Sequence, residues 1–368
     1  MYKAISDLCR IEYGASPNKV RSDDNTGIEI YGTGGKVGFS KEALFNEPLV
    51  VVARKGTLDN PILVDKPCWV IDTAYAAIPN CDVDVRWLYY QLLLFDLKRL
   101  NESTGVPSIS RDYLKKQKIV YQEFDVQRKI ADILSTVDDV IEKTEAAIDK
   151  YQAIKAGMMQ DLFTRGIDTK TGKLRPTIEE APELYKKSEL GWIPKEWEIA
   201  TLSEVCGMRS GDGITSKSID EYGSYPVYGG NGLRGYTANY THEGSYVLIG
   251  RQGALCGNVK RVDGIFYASE HAVVVSVNSD TNVDWMSYIL ESMNLNTYSE
   301  ASAQPGLAVG KILCLRIRVP QLTEQSMIAS VIQSLNTKIE AETALYSEYN
   351  KIKQGLMADL LTGTVKTV

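Results

Sequence analysis

The sequence has only two histidines, His242 and His271, and six cysteines with no Cys-x-x-Cys pair among them. That poverty excludes a zinc-ribbon type of metal site and leaves the cysteines to be read as buried, reduced thiols. Positive charge is not in excess: 41 Lys and Arg face 47 Asp and Glu, a formal net charge of −6. A protein that coats nucleic acid by charge alone is excluded; a reader that shares phosphate contacts with a partner is not. No run of about 18 apolar residues occurs, so no membrane span is expected. Met1–Asp7 holds no apolar stretch of signal-peptide type, and the expected compartment is the cytoplasm. Catalytic signatures are missing too. There is no P-loop and no Asp/Asn-Pro-Pro-aromatic tetrapeptide; Asn60-Pro61-Ile62-Leu63 begins like one and then departs from it. No catalytic residue, metal, cofactor or small-molecule substrate is expected.

Two features look like chemistry at first sight. Gly230-Asn231-Gly232-Leu233-Arg234-Gly235 fits G-x-G-x-x-G, but the residues after it, Tyr236–Thr241, are turn or strand material. A phosphate loop needs a helix there, so the glycines are read as a tight turn. His271 follows Glu270, yet the expected first-half counterparts are Thr73 and Ala74, which favours a structural histidine.

What is present is a repeat. Ile5–Cys9 matches Leu202–Cys206, Tyr31–Gly35 matches Tyr228–Gly232, and Val50–Gly56 matches Val247–Gly253, all at one offset. After a one-residue insertion, Gln127–Ala131 matches Gln325–Ala329 and Lys155–Thr164 matches Lys353–Thr362. A register kept across a half-chain marks a duplicated unit. Each half opens with a globular segment, 1–122 and 200–320, whose short β-branched runs (Leu49–Val52, Ile62–Val64, Tyr246–Ile249, Ala272–Val277) read as strands. Short helices are expected over Val85–Leu100 and Trp285–Met293.

Each half ends in a helical segment, 123–165 and 321–363. Ile130, Ile133, Val137, Val140, Thr144, Ala147, Tyr151, Ile154 and Met158 alternate spacings of three and four, a heptad seam. Ile328, Val331, Leu335, Lys338, Glu342, Leu345, Tyr349, Ile352 and Leu356 repeat it, with Ile332, Ile339 and Tyr346 flanking. Two such helices, each spanning roughly 50 Å at about 1.5 Å per residue, can pair antiparallel. Residues 166–199, with Gly166, Gly172, Pro176, Pro182 and Pro194, read as a surface linker.

The repeat, the helices and several local signatures together resemble the specificity (S) subunit of type I restriction-modification systems, over essentially the whole chain. Ser188-Glu189-Leu190-Gly191-Trp192-Ile193-Pro194-Lys195-Glu196-Trp197 looks like the family's lead-in to a recognition domain. Leu162–Gly166 looks like its exit from the first helix, and Gln304–Leu307 and Val319–Gln325 resemble the segments ahead of the second. There are departures: the first half has no copy of the Gly191–Trp197 lead-in, Pro320 is replaced by Gln122, and Glu324 by Val126.

The resemblance implies an α/β protein: two mixed α/β target-recognition domains joined by two long antiparallel coiled-coil helices, as a pseudo-two-fold internal repeat. It implies a non-catalytic subunit that binds double-stranded DNA at a bipartite target and docks two methyltransferase (M) subunits, which restriction (R) subunits join. A related methyltransferase-nuclease system of type IIB kind, or a non-catalytic coiled-coil scaffold with two binding domains, are the alternatives. Arg54 and Lys55, and their counterparts Arg251 and Gln252, follow apolar strands at turns and are the first candidates for DNA contact. Lys36, Asn231 and Arg234 in the glycine-rich loops come second. The apolar helix positions are expected to serve pairing and partner docking. Asp138, Asp139, Glu142, Glu145 and Asp149 should keep the first helix off the duplex.

Overall fold

The sequence repeat is a repeat of structure. The computed structural model describes residues 1–22, 24, 26–253, 255–299 and 306–365. Gln304 and Pro305 lie outside the described residues. The chain divides into two compact units: Met1–Ala147 with the chain from Glu342 onward, and Ile148–Ala341. Each unit holds one globular lobe and one stretch of each of two long helices, Phe124–Leu162 and Leu322–Leu361.

In the first lobe a four-stranded antiparallel sheet orders Cys9–Tyr13, Ala74–Pro79, Leu49–Ala53 and Ile62–Val64. A three-stranded sheet adds the hairpin Ile28–Gly32/Gly35–Ser40 and Trp69–Val70. In the second lobe one long strand, Val259–Ala268, does the work of both Ile62–Val64 and Trp69–Val70, so a single six-stranded sheet results. Tyr31 pairs in parallel with Val70 as Tyr228 does with Ala268, and Val51 pairs with Ile62 as Leu248 does with Lys260. These registers put the one-residue insertion in the loop after Leu49–Ala53.

Val50–Val52 and Val273–Val275 are buried on both faces: a helix, Val85–Leu94 or Val283–Ser292, covers Val50 and Val52 or Val273 and Val275, while Val51 and Val274 face a second cluster containing Val70 or Phe266. Asp84 and Asn282 cap these helices through backbone amides, the N-terminal satisfaction that their side chains favour. Their tryptophans, Trp87 and Trp285, are fully buried.

In each lobe one glutamine locks the globular helix to the start of a long one. Gln127 accepts from the Asp84 amide (2.9 Å) and donates to the carbonyls of Gln122 (2.8 Å) and Asp82 (3.4 Å). Gln325 repeats this with Asn282 (2.8 Å), Pro320 (2.9 Å) and Asp280 (3.3 Å). Both side chains are buried, so their amides are satisfied by protein alone. The departures seen in the sequence have consequences here. Gln122 accepts from the Trp87 indole (2.7 Å) and donates to the Leu360 carbonyl (2.6 Å). Pro320 cannot, and the Trp285 indole N–H has no partner among the described residues. At the matching helix end, Arg318 donates to the Phe163 carbonyl (3.3 Å) instead.

Within each unit the long helices run antiparallel. In the first, Ile130, Ala131 and Leu134 share a core with Met357, Leu360 and Leu361, and Asp138 pairs with Lys353 at 2.6 Å. In the second, Leu162 and Met158 pack with Ile328, Val331 and Ile332, and Lys338 lies over Tyr151. The covered line is shifted from the expected one. It follows Ile130, Leu134, Val137, Ile141, Thr144, Ile148, Tyr151, Lys155, Met158 and Leu162, and the equivalent Ile328, Ile332, Leu335, Ile339, Glu342, Tyr346, Tyr349, Lys353, Leu356 and Leu360. Ile133, Ile154, Leu345 and Ile352 are 40%, 38%, 40% and 43% exposed, so a pairing role does not hold for them. An apolar stripe three to four residues wide has two candidate seams one residue apart, and spacing alone cannot separate them.

Residues 166–199 are not a free surface strap. They form two hairpins, Ile167–Asp168/Lys173–Leu174 and Tyr185–Ser188/Gly191–Pro194. Ile193 and Trp197 are each 1% exposed in the core of the second unit. Four cysteines are buried as expected, while Cys81 and Cys314 are exposed. Cys9 and Cys206 occupy equivalent places, their thiols donating to the Ile5 and Leu202 carbonyls, and burial pushes each up to about 12.

Candidate nucleic-acid interface

In each lobe three backbone segments meet at the end of the central strand. Arg54 and Arg251 follow that strand, and their amides donate to the Thr73 and His271 carbonyls (3.0 and 2.9 Å). Their own carbonyls accept from the amides of Ile109 and Leu307 (both 3.0 Å). The next residues, Lys55 and Gln252, bridge to Ser108 and Gly306. The segment ending in Gly306-Leu307 thus has a first-lobe counterpart, Val106-Pro107-Ser108-Ile109, which fixes the strand end by backbone hydrogen bonds. These registers also correct the pairing of the histidine: Glu270 and His271 match Asp72 and Thr73, not Thr73 and Ala74. The acid is therefore kept in both lobes and the histidine is not.

The glycine-rich turns close on the same corner. A Cβ on Gly230 would lie 2.9 Å from the His271 carbonyl oxygen, and one on Gly250 would lie 2.5 Å from the Gly230 oxygen, so neither position has room for a side chain. The turn is followed by the strand Gly232–Thr237, not a helix, and presents side chains instead of helix amides. Gly56 and Gly253, two residues past the arginines, both hold left-handed φ values of +98° and +84°, which favour glycine.

The candidate side chains therefore converge by lobe. In the first, Arg54 donates to the Asp72 carbonyl (3.1 Å) and its guanidinium lies 5.2 Å from the centre of the Tyr13 ring. Lys55 is exposed. Lys36 is less free: its ammonium pairs with Glu29 at 2.7 Å and sits over the Phe39 ring. Hydrogen bonds from Lys36, Lys66 and Tyr31 hold the Glu29 carboxyl down at about 2. In the second lobe Arg251 is in no ion pair among the described residues, and Gln252 meets His271 at 3.1 Å. Asn231 is exposed at the turn, and the Arg234 stem crosses Gly229.

Two neighbours, Arg111 and Lys260, escape a reading of the sequence, and His271, expected to be structural, joins them at the site. Arg111 has its guanidinium 4.7 Å from the Tyr13 ring centre, Lys260 lies over Tyr228, and His271 touches Gln252. Aligning Pro107 with Pro305 is the signal that brings Arg111 to this corner. The acidic residues of the first long helix divide: Asp139, Glu142, Glu145 and Asp149 are exposed, whereas Asp138 accepts from Tyr90 (2.7 Å) and pairs with Lys353. Among the described residues no cluster of His, Cys, Asp and Glu could hold a metal ion, and no helix is long and apolar enough to cross a membrane.

A family described as the type I restriction modification DNA specificity domain matches residues 1–150 and 194–351. The chain is 34% identical over 308 residues to the type I restriction enzyme EcoprrI specificity subunit of Escherichia coli, covering 80% of this chain and 72% of that one. It is 25% identical to the MjaVIII specificity subunit of Methanocaldococcus jannaschii, covering 89% and 81%. In fold it resembles the type I S subunit of M. genitalium, with a TM-score of 0.72 at 17% identity, covering 98% and 96% of the two chains. The duplicated lobes, the antiparallel helices and these matches agree, and the chain belongs to the type I restriction-modification DNA specificity family, as a non-catalytic subunit.

Proposed function

We propose that the chain recognises a bipartite DNA target, residues 1–122 reading one half and residues 200–320 the other, with an unread spacer between. The two long helices act as the ruler and dock two methyltransferase subunits, which restriction subunits join. The observation that carries this reading is the contrast within the repeat. The backbone frame of the strand-end corner is the same in both lobes, while the side chains on it differ: Lys55 against Gln252, Thr73 against His271. Equal frames with unlike tips suit two readers of unlike sequences.

Arg54, Lys55, Arg251 and Gln252 are the proposed primary contacts, with Asn231, Arg234 and Lys36 beside them. Half-sites about one helical turn apart lie roughly 34–36 Å from one another, a distance that helices of this length can set. Ile154 and Ile352 are repeat-equivalent exposed apolar residues on the long helices, and with Ile133 and Leu345 they are proposed for methyltransferase docking. With a net charge of −6, much of the positive surface would come from those partners, so the isolated chain should bind DNA weakly.

Sequencing the methylated bases of a host that expresses this chain with its cognate methyltransferase tests the proposal. A split methylated motif is expected, and replacing residues 1–122 with another recognition domain should change one half of it only. A continuous motif, or a swap that alters both halves, would refute it.

A further inference from the structure

We propose that Arg54 and Arg111 form, around the ring of Tyr13, a two-arginine clamp for a DNA backbone phosphate, present in the first lobe and absent from the second. The inference rests on the DNA-reading function proposed above and adds a contact, its chemistry and its asymmetry.

The two guanidinium carbons lie 5.2 and 4.7 Å from the centre of one tyrosine ring, which is itself 47% exposed. Neither arginine is in an ion pair among the described residues. Arg54 spends one nitrogen on the Asp72 carbonyl, and the Nε of Arg111 is buried without a partner. The carboxylate of Glu102, on the loop before the helix Arg111–Lys116, accepts from the Ser110 amide (2.9 Å) and is in no ion pair with either guanidinium group. Two cations gathered on one ring without a counter-ion repel each other. A bound oxyanion reverses that sign, and the ring holds both planar forks in place for it.

A base edge takes a single fork, so two forks gathered on one ring suit a phosphate better. The second lobe cannot repeat this. Ser210 and Val309 stand where Tyr13 and Arg111 do, and Arg251 is left alone.

The test uses the complex of this chain with its methyltransferase and two duplexes, one carrying the methylated motif and one scrambled. Arg111→Gln should weaken binding to both by about tenfold. Between about 50 and 200 mM salt its log–log slope should flatten by about 0.9. The methylated motif should stay unchanged, Arg111→Lys should recover part of the loss, and Tyr13→Phe, which keeps the ring, should bind as wild type. Arg54→Gln provides the same reading if Arg111→Gln does not fold. Wild-type affinity and slope in both glutamine variants would overturn the clamp, as would a loss confined to the motif duplex, which would make these arginines base readers. If the unsubstituted complex binds neither duplex, the DNA-reading proposal itself fails, a result distinct from either.

Discussion

Glu324 is the residue whose removal should cost the second unit most. Its carboxylate is 2% exposed and accepts from the Ile167 amide (2.9 Å), the Trp197 indole (3.0 Å) and two nitrogens of Arg175 (2.5 and 2.9 Å). It thereby ties both the hairpin after the first long helix and the lead-in segment before the second lobe to the start of the second helix. Its repeat partner is Val126, so the helix start tolerates an aliphatic side chain and Glu324→Val tests the charge more than the shape. The substitution leaves Arg175, 7% exposed, as a buried cation without its main partner, together with an orphaned indole and amide. Breaking a buried pair from one side costs about 3–5 kcal/mol. At about 2–4 °C per kcal/mol for a unit of this size, the melting temperature should fall by roughly 6–20 °C. Arg175→Met alone should cost a similar amount. The double variant Glu324→Val/Arg175→Met removes both charges and should recover about 2–3 kcal/mol of the summed losses. Chemical denaturation followed by tryptophan fluorescence reads this cycle. Single losses below about 1 kcal/mol that simply add would refute the account, because a buried and mutually satisfied pair must couple.

Three further outcomes are expected. Gln325→Glu places a carboxylate against the Pro320 and Asp280 carbonyls and should cost about 3 kcal/mol at neutral pH, more than Gln325→Met, in denaturant titrations. Pro320→Gln, which copies Gln122, should give the Trp285 indole its missing acceptor and stabilise the second unit by about 0.5–1.5 kcal/mol, read as a raised denaturation midpoint. Glu29, held at about 2 against an ordinary 4.5, stabilises the first lobe above the ordinary glutamate range, and that stability is lost as pH falls toward 2. Glu29→Gln should therefore differ from wild type most at neutral pH and converge with it on acidification. A difference that stays constant with pH would contradict this, and the same variant should bind DNA more tightly by freeing Lys36 and Lys66.

The fold was legible wherever the repeat could be read twice. Leu49–Ala53 and His242–Gly250, or Val85–Leu94 and Val283–Ser292, support each other because two unlike sequences keep one apolar pattern. The helix seam was legible only to within one residue: Ile133 and Leu134 are both apolar, and the choice is made by the lobe packing against Leu134. The buried role of residues 166–199 was hidden because turn-rich composition also marks a linker, and Arg175 as a core residue needs Glu324 at long range. At the candidate interface the strand-end arginines were visible from their place after an apolar run. Arg111 was not, since it reaches Tyr13 from the start of a distant short helix, Arg111–Lys116.

The repeat itself separates frame from reading surface. Positions that keep residue and bond in both lobes, such as Gln127/Gln325 and Cys9/Cys206, lie at the helix starts and the core. At the strand-end corner of each lobe, Lys55/Gln252, Thr73/His271 and Ser108/Gly306 keep the backbone bond but change the side chain. At that corner the frame is held while its contents vary, which suits the proposal that the two halves read different sequences in the same pose.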